Sequence, residues 1–195
     1  MPVTLAIQMY ISAAFLRLYR LWHAVPPCPK YDFWRPALYW VSLGWDYFGR
    51  LYYGYEVYGL ENIPKDKGAL IVFYHGALPM DWYLLAARYY LHKGRMMGCV
   101  VDKLLFKVPG WTEIMQVFNI QTGTVDSCSQ FVGRGELLAV APGGLREAQY
   151  GDDSYPIIWG TRCGFAKVAL KAGVPIIPVF TRNIREAYGT LSIGK

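Results

Sequence analysis

Two short blocks hold the residues with chemistry to offer. The first is Tyr74-His75-Gly76-Ala77-Leu78-Pro79-Met80-Asp81. A histidine there can accept the proton of a hydroxyl near neutral pH, and an aspartate close by can fix its tautomer and stabilise the imidazolium that results. Neither serine nor cysteine sits beside the pair, so a substrate hydroxyl activated by His75 is a simpler nucleophile than a side chain of the protein. The second block is Ala141-Pro142-Gly143-Gly144-Leu145-Arg146-Glu147-Ala148. Its paired glycines permit close backbone approach, their amides suit an oxyanion or a phosphate, and Arg146 supplies a planar cationic fork. Each block also has a structural reading. His75 and Asp81 suit a strand end and a helix cap, and Arg146 and Glu147 suit a local ion pair beside a tight turn. Walker and Gly-x-Gly-x-x-Gly patterns are absent, which sets a nucleotide loop aside.

Both blocks follow apolar runs that must position them. Ala69 to Tyr74 is an unbroken apolar stretch bounded by glycine and a His-Gly pair, the pattern of a buried, parallel strand. Pro79 and Asp81 introduce a helix over Trp82 to Leu91. Arg95 to Val101 reads as a second strand, Lys103 to Phe106 and Trp111 to Val117 as helical, Asn119 to Ser127 as a polar loop, and Cys128 to Arg134 as a helix. Glu136 to Ala141 is a third strand, Phe165 to Lys171 a helix, and Val174 to Phe180 a strand whose two prolines argue against a fully laddered central place. Tyr55 to Tyr58 reads as one further short strand. The order is that of an α/β sandwich, with ligand groups gathered where strands end and helices begin.

Composition adds a second theme. Of 195 residues, 54% are hydrophobic and only 17% charged, where a soluble domain carries about a quarter charged residues. Disordered and low-complexity classes are excluded, and the apolar excess points to membrane contact. The net charge of +6 suits anionic lipid head groups; the basic residues are scattered, with no zinc-finger spacing, so nucleic acid is not an expected partner. Cys28, Cys99, Cys128 and Cys163 are too widely spaced for a metal knuckle, and reduced thiols with no bound metal are expected. No charge interrupts Met1 to Leu16, and Arg17, Arg20 and Trp22 follow at head-group depth for a membrane-associated helix, spanning or interfacial; a buried core helix is the alternative. Pro26, Pro27 and Pro29 mark a linker, and Phe33 to Tyr55 an aromatic-rich amphipathic helix that suits a core or a membrane surface.

The His75-to-Asp81 block, the Pro142-to-Ala148 block and Val174-Pro175-Ile176-Ile177-Pro178, in that order, resemble the lysophospholipid/glycerolipid acyltransferase family, in its diacylglycerol-acyltransferase-like branch. The resemblance runs from about Tyr55 to Tyr188. It implies an α/β sandwich with a mixed, largely parallel central sheet, and transfer of a fatty acyl group to the hydroxyl of a neutral glycerolipid, mono- or diacylglycerol. It implies acyl-CoA as donor co-substrate, with no bound cofactor, and a membrane location at the endoplasmic reticulum. On this analogy His75 is the general base and Asp81 its orienting partner, while Gly143, Gly144, Arg146 and Glu147 form the substrate-binding side. The family's usual first motif places four residues between histidine and aspartate, and here there are five. Its Pro-Glu-Gly-Thr-Arg block becomes Pro142-Gly143-Gly144-Leu145-Arg146, and Gln121 to Asp126 lacks the arginine of its second block, which leans away from a phosphate-bearing acceptor.

The expected division is residues 1–25 as the membrane-associated helix, 26–54 as linker and aromatic helix, and 55–195 as an acyltransferase domain. Only Thr181 to Lys195 follow the last strand, so that domain is expected to be shortened at its C-terminus. A catalytically inactive or impaired lipid-binding or regulatory protein derived from such an enzyme is the competing function. A soluble hydrolase is disfavoured, since there is no Gly-x-Ser-x-Gly elbow.

Overall fold

A computed structural model describes residues 2–24 and 31–187. The proline linker with Cys28, and the end of the chain from Tyr188, lie outside the described residues. In chain order the elements are α1 (Pro2–Trp22), α2 (Tyr31–Tyr53), β1 (Ala69–Phe73), α3 (Met80–Lys93), β2 (Met97–Val100), α4 (Thr112–Val117), β3 (Ile120–Gln121), α5 (Val125–Gly133), β4 (Leu137–Val140), α6 (Gly144–Tyr150), α7 (Gly164–Ala172), β5 (Ile176–Val179) and α8 (Ile184–Ala187). Single 3-10 turns occupy Leu60–Asn62 and Lys103–Lys107. These elements form two compact units interleaved in sequence: Met1–Lys65 with Tyr83–Thr122, and Asp66–Trp82 with Gly123–Lys195.

The first unit is mainly helical. Along α1, Leu5, Met9, Ser12, Ala13 and Leu16 recur at helical spacing and are buried. On α2 the wholly buried Trp45 donates its indole N–H to Ser12 Oγ at 3.1 Å and stacks on Tyr83 at 5.3 Å between ring centroids. Arg20 reaches Glu113 of α4 at 3.3 Å, and Arg50 and Arg88 both pair with the buried Asp46. Two short strands, β2 and β3, run parallel with Cys99 opposite Ile120.

Two expectations are corrected here. No helix among the described residues is long and apolar enough to cross a membrane, so the N-terminal membrane helix lacks support as a span. The reason lies in the residues: Gln8, Ser12, Arg17 and Arg20 interrupt the apolar run, and one stripe of α1 is committed to the interior. Tyr55 to Tyr58 is not a strand but irregular backbone following Gly54, whose φ is +60°. The 120–121 strand, by contrast, falls within the predicted polar loop, where two residues are too few to show an alternation.

The second unit carries the parallel strands that end at the site. β1 lies between β4 and β5, pairing Ile71 with Ala139 on one side and with Ile177 on the other. All five β1 residues are buried, which accounts for the unbroken apolar run. Truncating Leu70, Ile71, Leu137 or Leu138 to alanine in such an interior costs about 2–5 kcal/mol. β5 is half exposed, and Pro178 stands opposite Val72, a place where one missing donor is tolerated at an edge. Helix α5 opens with a reciprocal Thr124–Ser127 capping box, and α7 closes on Gly173 at φ +65°. Every strand pairing in the two units is parallel, so the expected mixed sheet becomes a parallel one.

Candidate active site

The C-terminal ends of β1, β4 and β5 bring together the two predicted blocks and the segment after β5. His75 stands just beyond β1, partly buried. Its ring Nδ1 lies 2.7 Å from the Gly76 carbonyl oxygen. A carbonyl only accepts, so Nδ1 carries the proton and Nε2 is left as the basic nitrogen. Desolvation holds the His75 pKa below the ordinary 6.5, opposed by the Gly76 carbonyl and the Glu147 charge and reinforced by Arg185. The imidazole is therefore neutral near pH 7.

Asp81 belongs to the first turn of α3 and is 3% exposed. Its Oδ2 accepts a hydrogen bond from Thr181 Oγ1 at 3.1 Å. Burial pushes its pKa up to about 7, against the opposing pull of Thr181 and nearby amides. The His75 ring and the Asp81 carboxyl are not hydrogen-bonded to each other: His75 Nδ1 is committed to Gly76, and Asp81 to Thr181. The five intervening residues leave His75 on the loop and Asp81 on the helix.

The glycine block turns β4 into α6. Gly144 adopts φ +52°, a left-handed conformation that favours glycine, and its amide donates to Ala141 O at 3.1 Å, which closes the turn and occupies that donor. Gly143 is buried with ordinary helical angles, and its glycine identity has another cause: a Cβ there would overlap the Glu147 side chain. Glu147 is fully buried. Oε2 accepts from the His75 amide at 3.0 Å, and Oε1 accepts from Trp159 Nε1 at 3.1 Å and Ile158 N at 3.4 Å. The carboxylate thus joins the two blocks by facing protein donors. Arg146 is exposed and forms no ion pair among the described residues, so the local pairing with Glu147 is not made.

Four further residues complete the arrangement without having been singled out from sequence. Thr181 anchors Asp81. Trp159 holds Glu147, and Arg162 donates to Gly143 O at 2.7 Å and Pro142 O at 3.3 Å. Arg185, buried in α8, donates to the carbonyls of His75, Glu147 and Ala148 and to the Tyr74 hydroxyl. Their signal in the sequence is faint: each lies 12 to 110 positions from its partner in the two blocks, and for Thr181 and Arg185 proximity to a strand end is the only cue.

Residues 54–182 match the family model described as Acyltransferase, and the chain belongs to that family. Among its relatives is the human "DGAT1/2-independent enzyme synthesizing storage lipids" (TMEM68), 41% identical over 191 residues, which cover 98% of this chain and 59% of the relative. The chicken protein of the same name is 44% identical over 160 residues, or 82% of this chain and 48% of that one. This chain therefore spans about half the length of these relatives. The crystal structure of the 1-acyl-sn-glycerophosphate (LPA) acyltransferase PlsC from Thermotoga maritima superposes with a TM-score of 0.52 at 20% identity, over 91% of this chain and 75% of that one, and supports the α/β fold.

Proposed function

We propose that the chain transfers a fatty acyl group from an acyl thioester such as acyl-CoA to the free hydroxyl of mono- or diacylglycerol, with His75 as general base. The observation that carries this reading is the Nδ1 contact with Gly76, which leaves Nε2 of a neutral imidazole as the proton acceptor. In the reaction Nε2 takes the proton of the acceptor hydroxyl as its oxygen attacks the thioester carbonyl. The tetrahedral adduct then expels the thiolate, which recovers that proton from the imidazolium. Asp81 fixes the start of α3 beside the His75 loop, Gly143 and Gly144 shape the turn at the acceptor side, Arg146 offers an exposed cation to a polar head group or donor phosphate, and Glu147 holds the His75 amide. The names of the 41–44% identical relatives, as enzymes synthesizing storage lipids, support a neutral acceptor.

The test is product formation by the purified chain with labelled acyl thioester and diacylglycerol in mixed micelles, beside a folded His75→Ala variant. Wild-type turnover by the variant would overturn the mechanism. Binding of both lipids with no product from either protein would favour the competing lipid-binding function.

The same reading puts α1 and α2 against a membrane surface. Ile7, Ile11, Leu18 and Trp22 of α1, and Trp40, Tyr47 and Leu51 of α2, are apolar or aromatic side chains left exposed. Such surfaces lie in the interface plane, with Tyr and Trp at head-group level. Co-sedimentation with anionic vesicles should fall on Trp40→Asp and Ile11→Asp substitution; unchanged co-sedimentation would remove α1 and α2 as the attachment surface.

A further inference from the structure

We infer that Arg185 is a positioning residue for His75, acting with Glu147 as a two-sided clamp on the His75 backbone. The inference rests on the proposed role of His75 as base. Arg185 is 5% exposed, and burying a guanidinium is unfavourable unless its donors are satisfied. Here they are: Nη2 donates to His75 O at 3.0 Å and to Glu147 O, Nη1 donates to Ala148 O at 3.0 Å, and Nε donates to the Tyr74 hydroxyl at 3.2 Å. The guanidinium carbon also lies 5.2 Å from the centre of the Tyr74 ring. One side chain from the segment after β5 therefore grips both the loop after β1 and the helix after β4.

Glu147 holds the other end of the same residue. Its carboxylate accepts from the His75 amide while Arg185 takes the His75 carbonyl, so His75 is fixed at its N–H and its C=O by opposite charges from different elements. Gly151 keeps the path open, because a Cβ there would overlap Arg185 Nη2 and the Tyr74 hydroxyl. A lysine could carry the charge but not the planar fork that reaches two segments at once. The clamp acts through the backbone of His75 and sets where its ring stands.

The chain has three histidines, so the His75 imidazole is resolvable by NMR of histidine-labelled protein, with His75→Ala giving the assignment. The experiment titrates His75 in wild type, Arg185→Gln and Arg185→Lys, and measures turnover of the same proteins. Arg185→Gln is expected to raise the His75 pKa, because a nearby positive charge is removed, and to weaken the fixed Nδ1–H tautomer. It should lower kcat by about 10²-fold while KM changes little, as a misplaced base would. Arg185→Lys, which keeps the charge and remains the measurement if the Gln variant does not fold, should leave the titration near wild type and recover only part of kcat. An unchanged His75 titration and tautomer in the Gln variant, or in the Lys variant alone a wild-type kcat, would overturn the clamp, even if turnover of the Gln variant were lost. Wild-type turnover by His75→Ala would instead overturn the base, with the NMR result still deciding whether Arg185 positions the ring.

Discussion

His75 and Asp81 are six positions apart in one motif, and burial acts on them in opposite directions with the same result. Desolvation lowers the histidine's pKa and raises the aspartate's to about 7, favouring the neutral form of each. Their partners differ accordingly. The histidine ring is oriented by a neutral carbonyl from the next residue, whereas the aspartate reaches across to Thr181 beyond β5. An imidazole oriented by a backbone carbonyl needs no ionised carboxylate to fix its tautomer. The difference teaches that the motif divides into two parts: the Gly76 contact leaves Nε2 of His75 with its lone pair, and Asp81 ties the start of α3 to the segment after β5.

The hardest way to break that comparison is to remove the lone pair. His75→Gln should cost about 10²–10⁴-fold in turnover, the usual contribution of a general base. Its effect on stability has a defined sign. The folded pKa lies below the unfolded value, so wild type loses stability as pH falls below about 6.5 toward the folded pKa, and the variant should lack that loss. Turnover assays and urea midpoints at pH 5 and 7 measure both. A variant retaining turnover would reduce His75 to a structural loop residue.

Asp81→Asn probes the other half and should show the reverse slope. Because the folded pKa is raised from the ordinary 3.8 to about 7, wild type loses stability as pH rises through that window. The difference amounts to about 4 kcal/mol in an idealised single-site account. Urea unfolding of both proteins between pH 4 and 8 should therefore show the variant gaining relative to wild type as pH rises. A pH-independent difference would mean that Asp81 is ionised throughout.

Much of this site is legible in the sequence because strand and loop carry local signals. The apolar run from Ala69 ends at His75, and the run from Leu137 ends at the paired glycines; period and punctuation alone place both. What the pattern does not carry is direction. Glu147 shares a helix with the exposed Arg146, yet its carboxylate turns inward to the His75 amide, and the need for Gly143 follows from that packing rather than from substrate approach. Arg185 and Thr181 are two of five polar residues between positions 181 and 186 after an edge strand, and their partners are set by parallel pairing of β1 with β5 over about a hundred positions. Such long-range contacts leave no local period. The N-terminal helix shows the opposite case: α1 is apolar enough to suggest a span, but one stripe of it is core.

Glu147→Gln tests the join between the blocks. Both carboxylate oxygens accept from N–H donors, whereas an amide has one acceptor and would turn its own N–H₂ toward a donor. The expected destabilisation is about 1–3 kcal/mol. It should appear as a lower denaturant midpoint together with faster amide exchange at His75. Loss of stability with His75 exchange unchanged would place Glu147 with Trp159 alone.

The smallest effect belongs to Thr181→Val, which keeps the shape and removes one hydroxyl. The lost hydrogen bond to Asp81 is worth about 1 kcal/mol. Its more informative consequence is on titration, since Thr181 pulls the Asp81 pKa down and its removal should push that pKa higher still. The pH window in which wild type loses stability should then extend to higher pH in the variant, while the His75 titration stays where it was because no bond links the two groups. Movement of both titrations together in Thr181→Val would show that His75 and Asp81 form one coupled unit after all, and would return the aspartate to the role of orienting partner.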